Sequence, residues 1–205
     1  MPKRVDHDAR RAEIIQATWR LIAERGIEAT TMRELAREMG LANGSVTHYF
    51  PDKKAILVGA FRHVFAATNR RFEAAAAAAP SRGLARLRLF LLETLPLDDE
   101  RRLEARIVIP FLEYAAVDDG LSVEFQDMMR EWRGLFRGML IEAQADGELA
   151  DDADPDALAD VLISAITGLQ SVAILVPETG AAERLLAMAD ALLGLAAPRS
   201  ATTAH

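Results

Sequence analysis

The stretch GLANGSVTHYF, residues 40–50, places four compact hydrogen-bonding side chains, Asn43, Ser45, Thr47 and His48, within six positions, with the side-chain-free Gly44 among them. Just downstream, Asp52 can cap a helix whose free first-turn amides, together with Lys53, form a small anion site. Groups of this kind recognise a partner through hydrogen bonds and charge, and none is arranged to make or break a covalent bond. The rest of the chain supplies no catalyst. It has no cysteine, which excludes disulfides, thiolate metal sites and cysteine nucleophiles. Its four histidines, His7, His48, His63 and His205, lack metal-ligand spacing, and there is no G-x-S-x-G elbow, P-loop or dinucleotide-binding glycine pattern. The chain is therefore read as a non-enzyme with no metal and no cofactor.

The elements that must position these groups are short helices. Asn43-Gly44 ordinarily marks a two-residue hairpin, but its flanks do not alternate with period two, and RELAREM, residues 33–39, is built of strong helix formers. Ile14, Ile15, Thr18, Leu21 and Ile22 recur at helical spacing, and Gly26 stops that first helix. Thr31-Met32-Arg33-Glu34 reads as a capping box that opens a second helix, with the Thr31 hydroxyl accepting from the Glu34 amide and the Glu34 carboxylate reaching back. Leu35, Ala36 and Met39 form its inner face and Gly40 ends it. Val46, Tyr49 and Phe50 follow at spacings of three and four. Two short helices across a tight glycine turn make a helix-turn-helix, so Asn43 and Gly44 belong to the first turn of a helix. Glycine there costs roughly 1 kcal/mol against alanine. That cost is intelligible where the backbone must come close to something else. Ile56, Leu57, Ala60, Phe61, Val64 and Phe65 then carry a long helix from 53 to an alanine run ending at Pro80, a strut between two halves of the chain.

Composition agrees with a helical globular protein. The 205 residues are 51% hydrophobic and 6% aromatic, and no segment suggests a strand. The net charge of −7 is unevenly placed: residues 1–72 hold 13 lysines and arginines against 8 acids, whereas 73–205 hold 11 against 23. A basic front on an acidic body suits a chain whose one end meets a polyanion. Charges fall throughout Met1–Ala12, so no secretory segment is read there and the cytoplasm is the expected location.

The order helix, Gly26, Thr31-x-x-Glu34-Leu35-Ala36, Gly40, Gly44-Ser45-Val46, His48-Tyr49-Phe50-x-x-Lys53 resembles the N-terminal DNA-binding domain of the TetR family of transcriptional regulators. The resemblance covers residues 10–57. It implies a three-helix head, a helical ligand-binding and dimerisation body, and repression that a small molecule relieves. Thr31 and Lys53 would hold phosphates, Arg33 would lean into the groove, and Asn43 to Tyr49, with Gly44, Ser45, Thr47 and His48, would be the recognition helix. Seven helical residues span only about 10 Å, enough to insert one edge into a major groove. Arg33 could pair bidentately with guanine. Two positions depart from the family pattern. Ala42 replaces a capping Ser or Thr, and Thr47 replaces a frequent Tyr, which shortens a phosphate contact.

In the body, periodicity predicts helices near 84–95, 100–117, 121–146, 156–176 and 181–196. The expected organisation is all-α, with a helix-turn-helix domain over 1–52, an effector and dimerisation domain over 53–197 and a disordered tail over 198–205. Phe111, Tyr114, Phe125, Met128, Trp132 and Phe136 concentrate aromatic and thioether groups as a candidate ligand box, although such clusters are more often ordinary core. The stretch Val161–Val176 is apolar but shorter than the roughly 20 residues of a membrane span, and no membrane partner is expected. The resemblance assigns the last two helices to a homodimer interface, with Leu162, Ile166, Leu169, Leu185, Met188 and Leu192 as candidates. Asp146-Gly147-Glu148-Leu149 and Gly168-Leu169 are similar to members that resemble the betaine-pathway regulator, and Trp132 and Tyr114 are side chains able to face a cation. The expected partners are thus double-stranded operator DNA, a second copy of the chain and a small-molecule effector that the sequence does not name. The competing reading is a helical dimeric interaction protein with little DNA affinity.

Overall fold

The computed structural model describes residues 7–195, apart from the side chains of Ala23 and Asn43. The tail expected over 198–205 lies outside the described residues. Within them are nine helices and no strand: α1 His7–Ala29, α2 Met32–Glu38, α3 Asn43–Thr47, α4 Lys53–Ala78, α5 Gly83–Thr94, α6 Asp99–Ala115, α7 Asp119–Ala145, α8 Pro155–Leu175 and α9 Ala182–Gly194. The chain divides into two compact units, one holding residues up to Ala67 with Leu103–Glu124, the other Thr68–Arg102 with Phe125 onward. The divisions fall inside α4, α6 and α7.

In the first unit, Ile14, Ile15, Thr18, Leu21 and Ile22 are all buried along one side of α1. Gly26 breaks that helix at φ 76° and ψ 168°, a conformation only glycine adopts without strain, and the chain completes one further turn to Ala29. The Thr31 hydroxyl caps α2 by accepting from Glu34 N at 3.2 Å. Only half of the expected capping box forms. The Glu34 carboxylate turns outward to Arg25, at 3.2 Å, and to Arg37, because two guanidiniums outcompete one amide. Gly40, at φ 63°, makes the turn into α3. α3 is five residues long, not seven: the amides of Tyr49 and Phe50 both bond to Val46 O, which closes the helix early. Val46 and Phe50 anchor it in the core. Asp52 then caps α4, its Oδ1 accepting from Ala55 N at 2.8 Å.

The first unit reaches beyond the three-helix head because α4 makes long-range pairs within it. Phe61 stacks face to face on Phe111, with centroids 4.0 Å apart. Lys54 pairs with Asp118 at 2.5 Å, and Arg62 forks onto Glu124 at 2.7 Å.

The core of the second unit is aromatic. Phe90, fully buried, meets Phe72, Trp132 and Phe136 edge-on at centroid distances of 5.0, 5.0 and 4.8 Å. Leu87 and Leu91 extend α5's inner face, and Leu95, just past its end, is buried with them. Asp154 caps α8, with Pro155 in its first turn. α8 has the length and apolarity of a membrane span, 21 residues with a mean hydropathy of 1.8 over an 18-residue window. Its inner face nonetheless packs within the unit through Leu162, Ile166 and Gln170, whose amide donates to Thr94 O at 2.7 Å.

Candidate nucleic-acid interface

α3 presents Gly44, Thr47 and His48 to solvent, with Ser45 and Tyr49 half-buried and Val46 facing inward. α3 begins at Asn43, whose side chain lies outside the described set. A Cβ placed on Gly44 would meet nothing of the chain itself, so internal packing does not require glycine there. The Thr47 hydroxyl donates to Gly44 O at 2.9 Å and keeps its lone pairs for an outside donor. Ala42 precedes α3 without a side-chain cap, in keeping with its departure from the family pattern.

α2 contributes two groups. Thr31 uses its oxygen as an acceptor at the cap, which leaves its O–H free to donate outward. Arg33 is exposed, and among the described residues it pairs with no carboxylate, unlike Arg25 and Arg37, which Glu34 holds. An unengaged guanidinium can reach a base edge without first breaking a bond.

Lys53 is held differently from a free phosphate-binding lysine. It is half-buried, and its Nζ lies 5.6 Å from the centroid of the Tyr114 ring. The Tyr114 hydroxyl donates to the Glu28 carboxylate, and that hydrogen bond raises the phenol's pKa. Lys53, Tyr114 and Glu28 thus form a chain of contacts inside the first unit. Beside it, the hydrogen bond from Lys54 lowers the pKa of Asp118.

The residues of the candidate ligand box are divided between the two units. Phe111 and Tyr114 lie in the first unit, where they serve Phe61, Glu28 and Lys53. Phe125, Met128, Trp132 and Phe136 lie in the second. Trp132 donates its indole N–H to Asn69 Oδ1 at 2.8 Å and meets Phe90 edge-on, so it takes part in the packing of the second unit. The second unit does contain an apolar cleft of about 90 Å³ among Leu84, Leu87, Leu140, Leu162 and Leu192.

The candidate dimer residues separate by burial. Leu162, Ile166 and Leu185 point into the unit's own core, and Leu169, Met188 and Leu192 are half-buried. On α8 the apolar side chains left outside are Val161, Val172 and Leu175, the last 74% exposed. Their spacing of eleven and three places them on one helical face. Sequence reasoning missed this stripe because periodicity finds a face without saying which way it points.

It also missed the start of α1. The His7 ring lies 5.6 Å from Tyr49 and 6.1 Å from His48, and the next turn carries Arg10 and Arg11. The basic bias of residues 1–72 was the available signal.

Two family models match the chain. One, described as bacterial regulatory proteins, tetR family, covers residues 14–60, and the other, BetI-type transcriptional repressor, C-terminal, covers 83–197. The HTH-type transcriptional regulator PksA of Bacillus subtilis is 32% identical over 182 residues, 86% of this chain and 84% of that protein. The regulator BetI of Burkholderia mallei is 44% identical over 84 residues, which span 43% of its length. Among solved structures, a transcriptional regulator of Saccharomonospora viridis in complex with choline superimposes with a TM-score of 0.82 at 22% identity, covering 91% of this chain and 96% of that one. A helix-turn-helix with an outward polar edge, a wholly helical body and matches to both parts meet in one conclusion: the chain belongs to the TetR family of DNA-binding transcriptional regulators.

Proposed function

We propose that the chain is a ligand-responsive repressor that binds a palindromic operator as a homodimer. The observation that carries this reading is the outward polar edge of α3, with Arg33 unengaged beside it and the Thr31 hydroxyl free to donate. In this reading Thr31 and Lys53 hold backbone phosphates. Arg33 pairs with a guanine, and Ser45, Thr47, His48 and Asn43 meet base edges or adjacent phosphates. α3 spans less than two turns and makes too few contacts alone. A two-fold dimer sets two copies in successive major grooves about 34 Å apart. The face of α8 bearing Val161, Val172 and Leu175 supplies the apolar surface that such an association covers.

The effector is a small molecule held by the helical body and favouring the state that does not fit DNA. A preference of about 2.7 kcal/mol lowers operator affinity ~100-fold, and linkage then requires operator DNA to weaken effector binding by the same factor. The effector's chemistry is a matter for titration. Choline in the S. viridis structure is a reasonable first probe, although Trp132 and Tyr114 are engaged elsewhere in this chain. Footprinting the DNA that flanks the chain's own gene tests the core of the proposal. A protected, two-fold symmetric site with steeply salt-dependent affinity is expected. A helical interaction protein would leave no footprint at any salt concentration.

A further inference from the structure

Two clefts meet at Tyr49, and each contains an arginine from the second turn of α1. Arg10 lines one of about 460 Å³ together with Leu41, Ala42, Gly44, Ser45 and His48. Arg11 lines another of about 380 Å³ with Phe50, Pro51, Asp52 and Lys54, and Tyr49 belongs to both. Adjacent residues on a helix diverge by about 100°, and the two arginines accordingly line different clefts that share Tyr49. The helix-turn-helix motif, which begins at α2, accounts for neither.

We propose that the start of α1 is a second DNA-contacting element, in which Arg10 and Arg11 each neutralise one backbone phosphate flanking the bases read by α3. The inference rests on the DNA-binding reading above and adds to it. Arg10 is paired with Glu13 at 2.6 Å, and both side chains are solvent-accessible, so a phosphate can replace the carboxylate at little cost. Arg11 stands 5.3 Å from the centroid of the buried Phe50 ring. Stacking on a ring orients a guanidinium while its N–H donors, which lie in its own plane, stay available for the bidentate geometry that phosphate favours. The carboxylate that lines that cleft, Asp52, is partly satisfied as the cap of α4, and the cleft's lysine, Lys54, is held by Asp118. Of these cations Arg11 is the one whose contact leaves its donors uncommitted. His7, against Tyr49 and His48, fixes the first turn of α1 beside the end of α3 and so holds both arginines close to the bases.

The test uses full-length protein and two labelled duplexes of equal length, the segment footprinted beside its own gene and a scrambled version, titrated at several salt concentrations. In the double variant Arg10→Ala/Arg11→Ala the slope of log affinity on log salt should flatten by about two units. Both duplexes should weaken alike, roughly 50-fold at about 0.1 M salt. Arg20→Ala, which removes one exposed charge further along α1, should hold the wild-type slope to within about half a unit. Arg10→Lys/Arg11→Lys should restore most of the lost slope, which a purely structural role would not predict. The inference is overturned if the folded double alanine variant keeps the wild-type slope, or if its loss is confined to the footprinted duplex. A wild-type protein with no salt-dependent affinity for either duplex removes the DNA-binding reading itself, and this inference with it.

Discussion

α3 and α8 are both left incompletely satisfied by their own chain, in opposite ways. α3 is five residues held by one buried valine and the phenylalanine that follows it, and what it leaves outside is polar. α8 is 21 residues with a continuous inner face, and it leaves the large apolar side chains Val161, Val172 and Leu175 outside beside the polar Asp160 and Ser164. The short helix takes its shape from neighbours and offers hydrogen bonds that water can satisfy until a partner arrives. The long one supplies its own scaffold, but Val161, Val172 and Leu175 gain nothing from water. A polar remainder suits a partner that comes and goes, whereas an apolar remainder suits one that stays. The first fits regulated DNA binding and the second fits permanent association.

The largest effect should come from charging the outer face of α8. Val172→Glu with Leu175→Glu would bury unpaired carboxylates in the proposed interface at a cost of about 3–5 kcal/mol. Sedimentation should show a folded monomer, and a folded variant that still sediments as a wild-type dimer would erase the contrast by showing that the apolar remainder faces no partner. The inner face behaves differently. Ile166→Ala, at a side chain 2% exposed, removes core packing worth about 2–5 kcal/mol and lowers the denaturation midpoint of the protomer. If it dissociated the dimer without destabilising the fold, the inner and outer faces would have been assigned the wrong way round. On the polar side, Arg33→Ala should cost ~1–3 kcal/mol and relax preference at one base pair in each half-site. Lys53→Ala should weaken all duplexes alike and flatten the salt slope by about one unit, less if the contact with Tyr114 already holds the ammonium back. Equal loss of sequence preference in both would refute that division of labour.

The smallest effect concerns acid stability in the second unit. Burial pushes the Asp98 carboxyl upward, but the hydrogen bonds and charge of Arg101 outweigh it, and the net direction is downward. A carboxylate depressed on folding stabilises the native state above its unfolded pKa and loses that contribution as pH falls through the folded one. Asp98→Asn should therefore flatten the fall in stability at acid pH and leave the alkaline side unchanged. Thermal denaturation across pH is the measurement, and parallel curves for both proteins would rule the contribution out.

The helix boundaries were legible because their signals are local. Gly26 and Gly40 occupy positive-φ positions, Thr31 and Asp52 cap the helices they precede, and each can be read within four residues. α3 was overestimated because the competition among the Val46, Tyr49 and Phe50 backbones leaves no mark on side-chain periodicity. The packing partners of the candidate ligand-box residues were not legible, since aromatic content does not specify them. Phe111 finds Phe61 across fifty residues, and Trp132 finds Asn69 across sixty-three. The α8 stripe escaped for a related reason. Leu162 and Val161 are neighbours of similar chemistry, one inside and one outside, and only the packed structure tells them apart.

The missing cap at Ala42 bears on timing. Asn-Gly-Ser-Val-Thr is a sequence of weak helix formers, too short to persist alone and without a hydroxyl to hold its first turn. Its amides should exchange with deuterated solvent through small local openings and become protected when the duplex clamps them. Part of the binding energy is then spent on ordering the reader at the moment it reads. Ala42→Ser would restore the cap, worth about 1 kcal/mol to the helix, and slow that exchange in the free protein. A reader ordered in advance should also stay longer on its site. Proteins that must let go on cue gain from a recognition element that is never fully formed until it is in use.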